Sequence, residues 1–260
     1  MEKILFLKAH VAGYVKQDGT YVGDYDNKTQ KKSPFQASIF GSNKPKPEGF
    51  HPKPNDQGKQ VPINKLSQGT QADTWGDHDA IATVTANDSR MLPDSLYGVK
   101  FESWHDVPRS LHDWAEVEGQ NIDDEPDMEL HPKMKQGSGV IIQEDDGRVW
   151  VIHPTNAFGG YQSSFPKGTV EDGLPLQASA IKEAYEESGL KVELVSHFMD
   201  VVRTTSVARY YLAKRVGGTP ADVGWESQAV SLVPVNKLFE VLNMSTDHGI
   251  AEKLGAYKKH

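Results

Sequence analysis

The chain has 260 residues, 37% of them hydrophobic and 9% aromatic, no cysteine and a formal net charge of −8. A sizeable core is therefore available, and disulfides and thiolate metal sites are excluded. No apolar run approaches the length of a membrane span, and the short run Ile4–Leu7 does not make a secretory leader, so a reducing cytoplasm is the expected location.

Charge is unevenly spread. Residues 1–72 carry 11 lysines, six acids and no arginine, whereas residues 73–136 carry five basic and 15 acidic side chains. A lysine-rich arm without the forked arginine side chain is read as solvated, or docked on the acidic middle of its own chain, in preference to binding nucleic acid.

In chain order, residues 1–30 read as an N-terminal β-hairpin module, with Tyr14, Val15, Tyr21 and Val22 flanking an Asp18-Gly19 turn. Residues 31–72, with Lys44-Pro-Lys-Pro47 and His51-Pro-Lys-Pro54, have no apolar period and read as an extended basic linker. Residues 73–130 form an aromatic-rich acidic connecting region. Its Trp75, Tyr97, Phe101, Trp104 and Trp114 are expected to pack on something, and 121–129 to be a link. His105 and His112, each beside an aspartate, are a weak signal for a metal and are not assigned one.

Residues 131–260 have the texture of a compact α/β domain. Strands are expected at 139–142, 149–152, 190–195, 197–203, 207–214 and 228–233. A helix is expected from Pro234 and another over 246–257. Between the second and third strands, a glycine-rich loop from Phe165 to Gly173 leads into residues 176–188, which hold no glycine or proline and end at Gly189. That pattern predicts a helix with a left-handed C-terminal glycine.

At about 100° per residue, Glu183, Glu186 and Glu187 share an arc of roughly 100°, while Ala178, Ile181 and Tyr185 face the opposite side. Like charges at these spacings repel. Either solvent or a hard divalent cation has to offset them.

The segment from Phe165 to Leu190 resembles the Nudix box: Gly168, Glu183, Ala184, Glu186, Glu187, Gly189 and Leu190 fall in its register. Two positions depart from it, Leu174 in place of a supporting Glu and Lys182 in place of an Arg that orients the carboxylates. The resemblance implies a Nudix fold for 131–260, a mixed β-sheet sandwiched between helices, preceded by a loosely structured extension. It implies hydrolysis of a diphosphate linkage with Mg²⁺ or Mn²⁺ held by Glu183 and Glu187 and a main-chain carbonyl near Gly168. Glu186 would act as general base or as a ligand through water, and Glu226 would assist from a late loop.

Lys167, Arg203, Arg209 and Lys214 are candidates for holding phosphates, and Tyr210, Trp225 or Phe158 for stacking a base. The runs Phe165–Glu171, Tyr210–Ala213 and Trp225–Val230 look like the branch acting on diphosphoinositol and diadenosine polyphosphates. ADP-ribose or a related dinucleotide is the alternative substrate, and a non-catalytic ligand-binding or regulatory protein the alternative of another class. The expected partner is a small anionic phosphorylated molecule, with neither membrane nor nucleic acid.

Overall fold

The computed structural model describes residues 14–15, 21–22, 46–129, 133–203 and 205–255. The hairpin strands β1 (Tyr14–Val15) and β2 (Tyr21–Val22) pair antiparallel, Tyr14 with Val22 and Val15 with Tyr21. The expected Asp18-Gly19 turn lies outside the described residues.

The described residues from Lys46 to Gly255 belong to one compact unit. It opens with the short pair β3 (Gly49–Phe50) and β4 (Pro62–Ile63). Next come β5 (Ala82–Thr85), the hairpin β6 (Ser95–Leu96) and β7 (Val99–Lys100), and helix α1 (Leu111–Ala115). The α/β region follows with β8 (Lys135–Ile142), β9 (Val149–Pro154), β10 (Lys167–Thr169) and helix α2 (Leu176–Ser188). It is completed by β11 (Leu190–Val202), β12 (Ser206–Gly218), β13 (Ser227–Val233), α3 (Leu238–Val241) and α4 (Ser245–Lys253).

Besides the two-stranded pairs, two larger sheets result, in the orders β10-β8-β12-β11 and β5-β13-β9, with β8 and β12 parallel and their other pairs antiparallel. The strands are apolar on both faces, and their two-residue alternation divides the core. Val140, Ile142, Trp150 and Tyr211 join Ala178, Ile181 and Ala184 of α2 in one cluster. Ile141, Val149, Val151 and Tyr210 join Leu238 and Ile250 of the C-terminal helices in the other. The sheets are thus sandwiched between helices, as expected. Two strands expected at 190–195 and 197–203 are one, β11, interrupted by register shifts against β12.

Residues 46–129 are less loose than their composition suggested. Strand β5 extends the second sheet beside β13. Trp75 packs against Trp150 at 5.9 Å, and Trp104 meets Tyr185 of α2 edge-on at 5.3 Å. Two buried arginines bind this segment through its main chain: Arg148 donates to the carbonyls of Thr74, Trp75 and Asp77, and Arg215, paired with Glu144 at 2.6 Å, to those of Leu96 and Val99. The stretch 121–129, read as a link, carries Glu125 into an ion pair with Arg209. His105 and His112 are exposed, and among the described residues no three acidic or imidazole groups converge as a metal site. No helix of the described residues is long and apolar enough to cross a membrane.

Candidate active site

Helix α2 positions the three glutamates. It runs without glycine or proline and stops at Gly189, whose φ of 73° and N–H bond to the Tyr185 carbonyl make the left-handed cap. Pro175 stands one residue before the helix. Burial of Ala178, Ile181 and Ala184 in the core fixes the rotation of the helix and sends Lys182, Glu183 and Glu186 the other way.

The preceding loop completes the arrangement. Strand β10 pairs with β8 so that Lys167 lies opposite Gly139 and Gly168 opposite Ser138. The Lys167 main-chain N–H then donates to Oε2 of Glu187 at 2.6 Å. The Glu183 carboxyl rests on Gly168, where an added Cβ would overlap it. A fourth acid arrives from the far side: the Gly224 N–H donates to the Glu186 carbonyl at 2.9 Å, docking the loop that carries Trp225 and Glu226 on the end of α2.

Burial, followed by the charges of Glu187 and Glu186, pushes the Glu183 carboxyl up to about 9. Burial likewise raises Glu187 to about 7, partly opposed by Lys167. Partial burial, then Glu186 and Asp56, raise Glu226. Glu186 has a counter-charge of its own: Lys182 reaches it at 2.7 Å and Glu171 at 2.9 Å. Burial opposes the charge of Lys182, but its bonds to the two acids outweigh that and raise its pKa. Lys182 thus takes up an orienting place as a two-armed bridge. Leu174, the other departure, is buried in the core.

The expected phosphate ligands are divided. Lys167 and Arg203 converge on Tyr161, with Nζ 4.7 Å and the guanidinium carbon 5.9 Å from the ring centre. Arg203 donates to the Tyr210 hydroxyl at 2.8 Å and to Asp247 at 3.2 Å, and its buried Nε has no hydrogen-bond partner among the described residues. Arg209 departs from expectation. It is buried, with Nε and Nη2 on the two oxygens of Asp200 at 2.8 Å each and Nη1 on Glu125 at 3.0 Å, so its donors are already engaged. Tyr210 is fully buried in the core and offers no face for stacking.

Lys214 is exposed and paired with Glu193 at 3.2 Å. It stands four residues along β12 from Tyr210, the partner of Gly139 through β8, which is about 13 Å of strand. Trp225 is half-buried with its indole N–H on Asp56, and Phe158 is 73% exposed. The sequence reading had not singled out Tyr161 or Asp56. Tyr161 alone carried a signal, as an aromatic side chain directly after a Gly-Gly pair.

Residues 133–253 match the family model described as the NUDIX domain. The chain carries a Nudix domain. Relatives similar to it include RNA pyrophosphohydrolase of Caulobacter vibrioides, 32% identical over 100 residues, which are 38% of this chain and 55% of that one. RNA pyrophosphohydrolase of Shewanella pealeana is 38% identical over 79 residues, 30% of this chain and 42% of that one. The chain thus spans about half the length of these curated relatives. Among solved structures, a NUDIX hydrolase from Nitrosomonas europaea is similar over 48% of this chain and 73% of its own, at 19% identity and a TM-score of 0.40.

The Nudix domain's carboxylates suit a hard divalent cation on their own chemistry. Glu183 and Glu187 are buried near one another and resist ionisation, and Gly168, with no Cβ, makes the seat that the Glu183 carboxyl occupies. In the geometry described, Glu186 is turned to Lys182 instead of converging with the other two.

Proposed function

We propose that the Nudix domain of this chain hydrolyses a diphosphate linkage in a nucleotide-type substrate, using Glu183, Glu186, Glu187 and Glu226. The observation that carries this reading is the placing of Glu183 and Glu187 beside the Lys167-Gly168 main chain, where burial and then the nearby charges of Glu186 and Glu226 hold their pKa values up at about 9 and about 7. Stability alone gives no reason to crowd acids in this way, and such perturbed groups collect where chemistry is done.

Glu183 and Glu187, with the main chain near Gly168, would hold Mg²⁺ or Mn²⁺. When bound, the ion supplies neutralisation of phosphate charge and a lowered pKa for a bound water. Glu186 is committed to Lys182, whereas the proton affinity of Glu226 is raised, so Glu226 is assigned as proton acceptor and Glu186 as a supporting carboxylate. Lys167 and Arg203, gathered on Tyr161, would bind phosphate oxygens. The exposed ring of Phe158 and the half-buried Trp225 remain for a base.

The substrate is sought among polyphosphorylated nucleotides and RNA ends, the latter because the similar relatives bear the name RNA pyrophosphohydrolase. Diadenosine polyphosphate, diphosphoinositol polyphosphate and ADP-ribose complete the panel. Phosphate release from each is to be measured with Mg²⁺ and Mn²⁺ for the wild type, Glu187→Gln and Glu226→Gln. Loss of at least about 100-fold in both variants is expected. A wild type inactive on every substrate with either metal, or variants as active as the wild type, would overturn the reading.

A further inference from the structure

The segment from Gly49 to Asn64 lies outside the matched Nudix domain, yet it grips the loop that carries Glu226 on both sides of that residue. On one side, Asp56 Oδ1 accepts the indole N–H of Trp225 at 3.0 Å. On the other, His51 is 2% exposed, and its Nε2–H donates to the carbonyl of Ser227 at 3.2 Å. The tautomer follows from the other ring nitrogen, which accepts the Lys53 amide at 3.0 Å.

A second tether faces the neighbouring loop. Asn156, held at a φ of 58°, accepts from the Asn64 N–H and donates to the Pro62 carbonyl, each at 2.8 Å. That loop is itself tied to the first, because the Thr155 N–H and hydroxyl donate to the carbonyls of Glu226 and Trp225 at 2.7 and 2.9 Å.

We propose that residues 49–64 act as a strap that positions Glu226, with His51 and Asp56 as the positioning residues that pin its two chain neighbours. A loop bearing a reacting carboxylate loses rate when it is free to sample other placements, since an error of about 1 Å can cost on the order of 100-fold. Burial shapes the division of labour. The His51 bond is shielded from water and supplies most of the hold. The Asp56 bond is exposed and weaker, but it acts on the residue immediately before Glu226.

This inference rests on the assignment of Glu226 to the hydrolytic site, and its test has one arm that needs no turnover. In the first arm, the component of tryptophan fluorescence lost in Trp225→Phe is followed under acrylamide quenching. Asp56→Ala is expected to raise the accessibility of that component, and Asp56→Asn, which keeps Oδ1 as acceptor, to leave it at the wild-type value. Equal quenching in the wild type and Asp56→Ala would overturn the strap.

The second arm uses the substrate that the wild type hydrolyses. His51→Ala and Asp56→Ala are expected to lower kcat by about 10-fold or more with KM little changed. His51→Gln and Asp56→Asn, which preserve the donor and the acceptor, should recover to within about threefold of wild type. Because Asp56 is exposed, its variants report on positioning even where His51→Ala fails to fold. Alanine variants that keep full kcat, or amide variants that recover nothing, would overturn the positioning role. A wild type that hydrolyses nothing would count against the hydrolytic reading alone and leave the fluorescence arm standing.

Discussion

The carboxyl group of Glu183 lies directly against the α-carbon of Gly168, so close that a methyl group there would overlap it. The two residues are 15 positions apart in sequence and meet because β10 crosses the face of α2. Gly168→Ala must displace Glu183 or part the strand from the helix. The expected outcome is a folded protein whose hydrolytic rate falls by about 100-fold, as for other misplacements of reacting groups. A circular dichroism melt alongside the rate measurement separates the two effects. Full activity in Gly168→Ala would show that Glu183 does not need this seat.

Glu183 and Glu187 link stability to pH. Both ionise near 4.5 in an unfolded chain but are raised to about 9 and about 7 in the fold, chiefly by burial. The stability tied to their protonated forms is complete below pH 4.5. It is lost as pH rises through 7 and towards 9, because the unfolded chain gives up these protons first. A divalent cation held by the pair would offset that loss. The rise in Tm on adding Mg²⁺ or Mn²⁺ should therefore be larger at pH 8.5 than at pH 6, and Glu183→Gln should flatten the difference. Thermal shift at the two pH values is the measurement, and a metal effect independent of pH would defeat the argument.

The helix that carries Glu183, Glu186 and Glu187 was legible, because helix length and the Gly189 stop are local properties of the chain. The sandwich of helices on mixed sheets followed from resemblance and strand texture. In residues 46–129 the packing of the aromatic side chains was legible and the rest was not. Their order comes from partners distant in sequence, such as Arg148 binding the carbonyls of Thr74 and Trp75, and main-chain acceptors leave no mark on composition. The same limit applies to Arg209. Basic residues on a strand near a phosphate site read alike in sequence, and only tertiary contacts distinguish Arg203 beside Tyr161 from Arg209 closed between Asp200 and Glu125.

Lys182 bridges Glu171 and Glu186, and removing the bridge should loosen both. Lys182→Met is expected to raise the Mg²⁺ concentration giving half-maximal activity by about 10- to 100-fold, the usual effect of loosening a group that supports the ligands. Lys182→Arg retains the charge and adds a planar fork, so it should stay within about threefold of wild type. Metal titrations of the two variants make the comparison. If Lys182→Met titrates like the wild type, the bridge has no part in shaping the site.

Arg209 ties β11 and β12 to the segment before the Nudix domain through Asp200 and Glu125, and Glu125 also accepts the Tyr211 hydroxyl at 2.8 Å. Removing the arginine strands two acids that are only 25% and 18% exposed, whereas removing Glu125 leaves Arg209 its bidentate partner. Urea unfolding should accordingly show a loss of about 3 kcal/mol for Arg209→Leu. Glu125→Ala should lose about 1–2 kcal/mol, as expected for one charge-assisted hydrogen bond. Both variants should keep the wild-type KM, because neither side chain is free to meet substrate. A raised KM in Arg209→Lys with unchanged stability would instead return Arg209 to the phosphate-binding set.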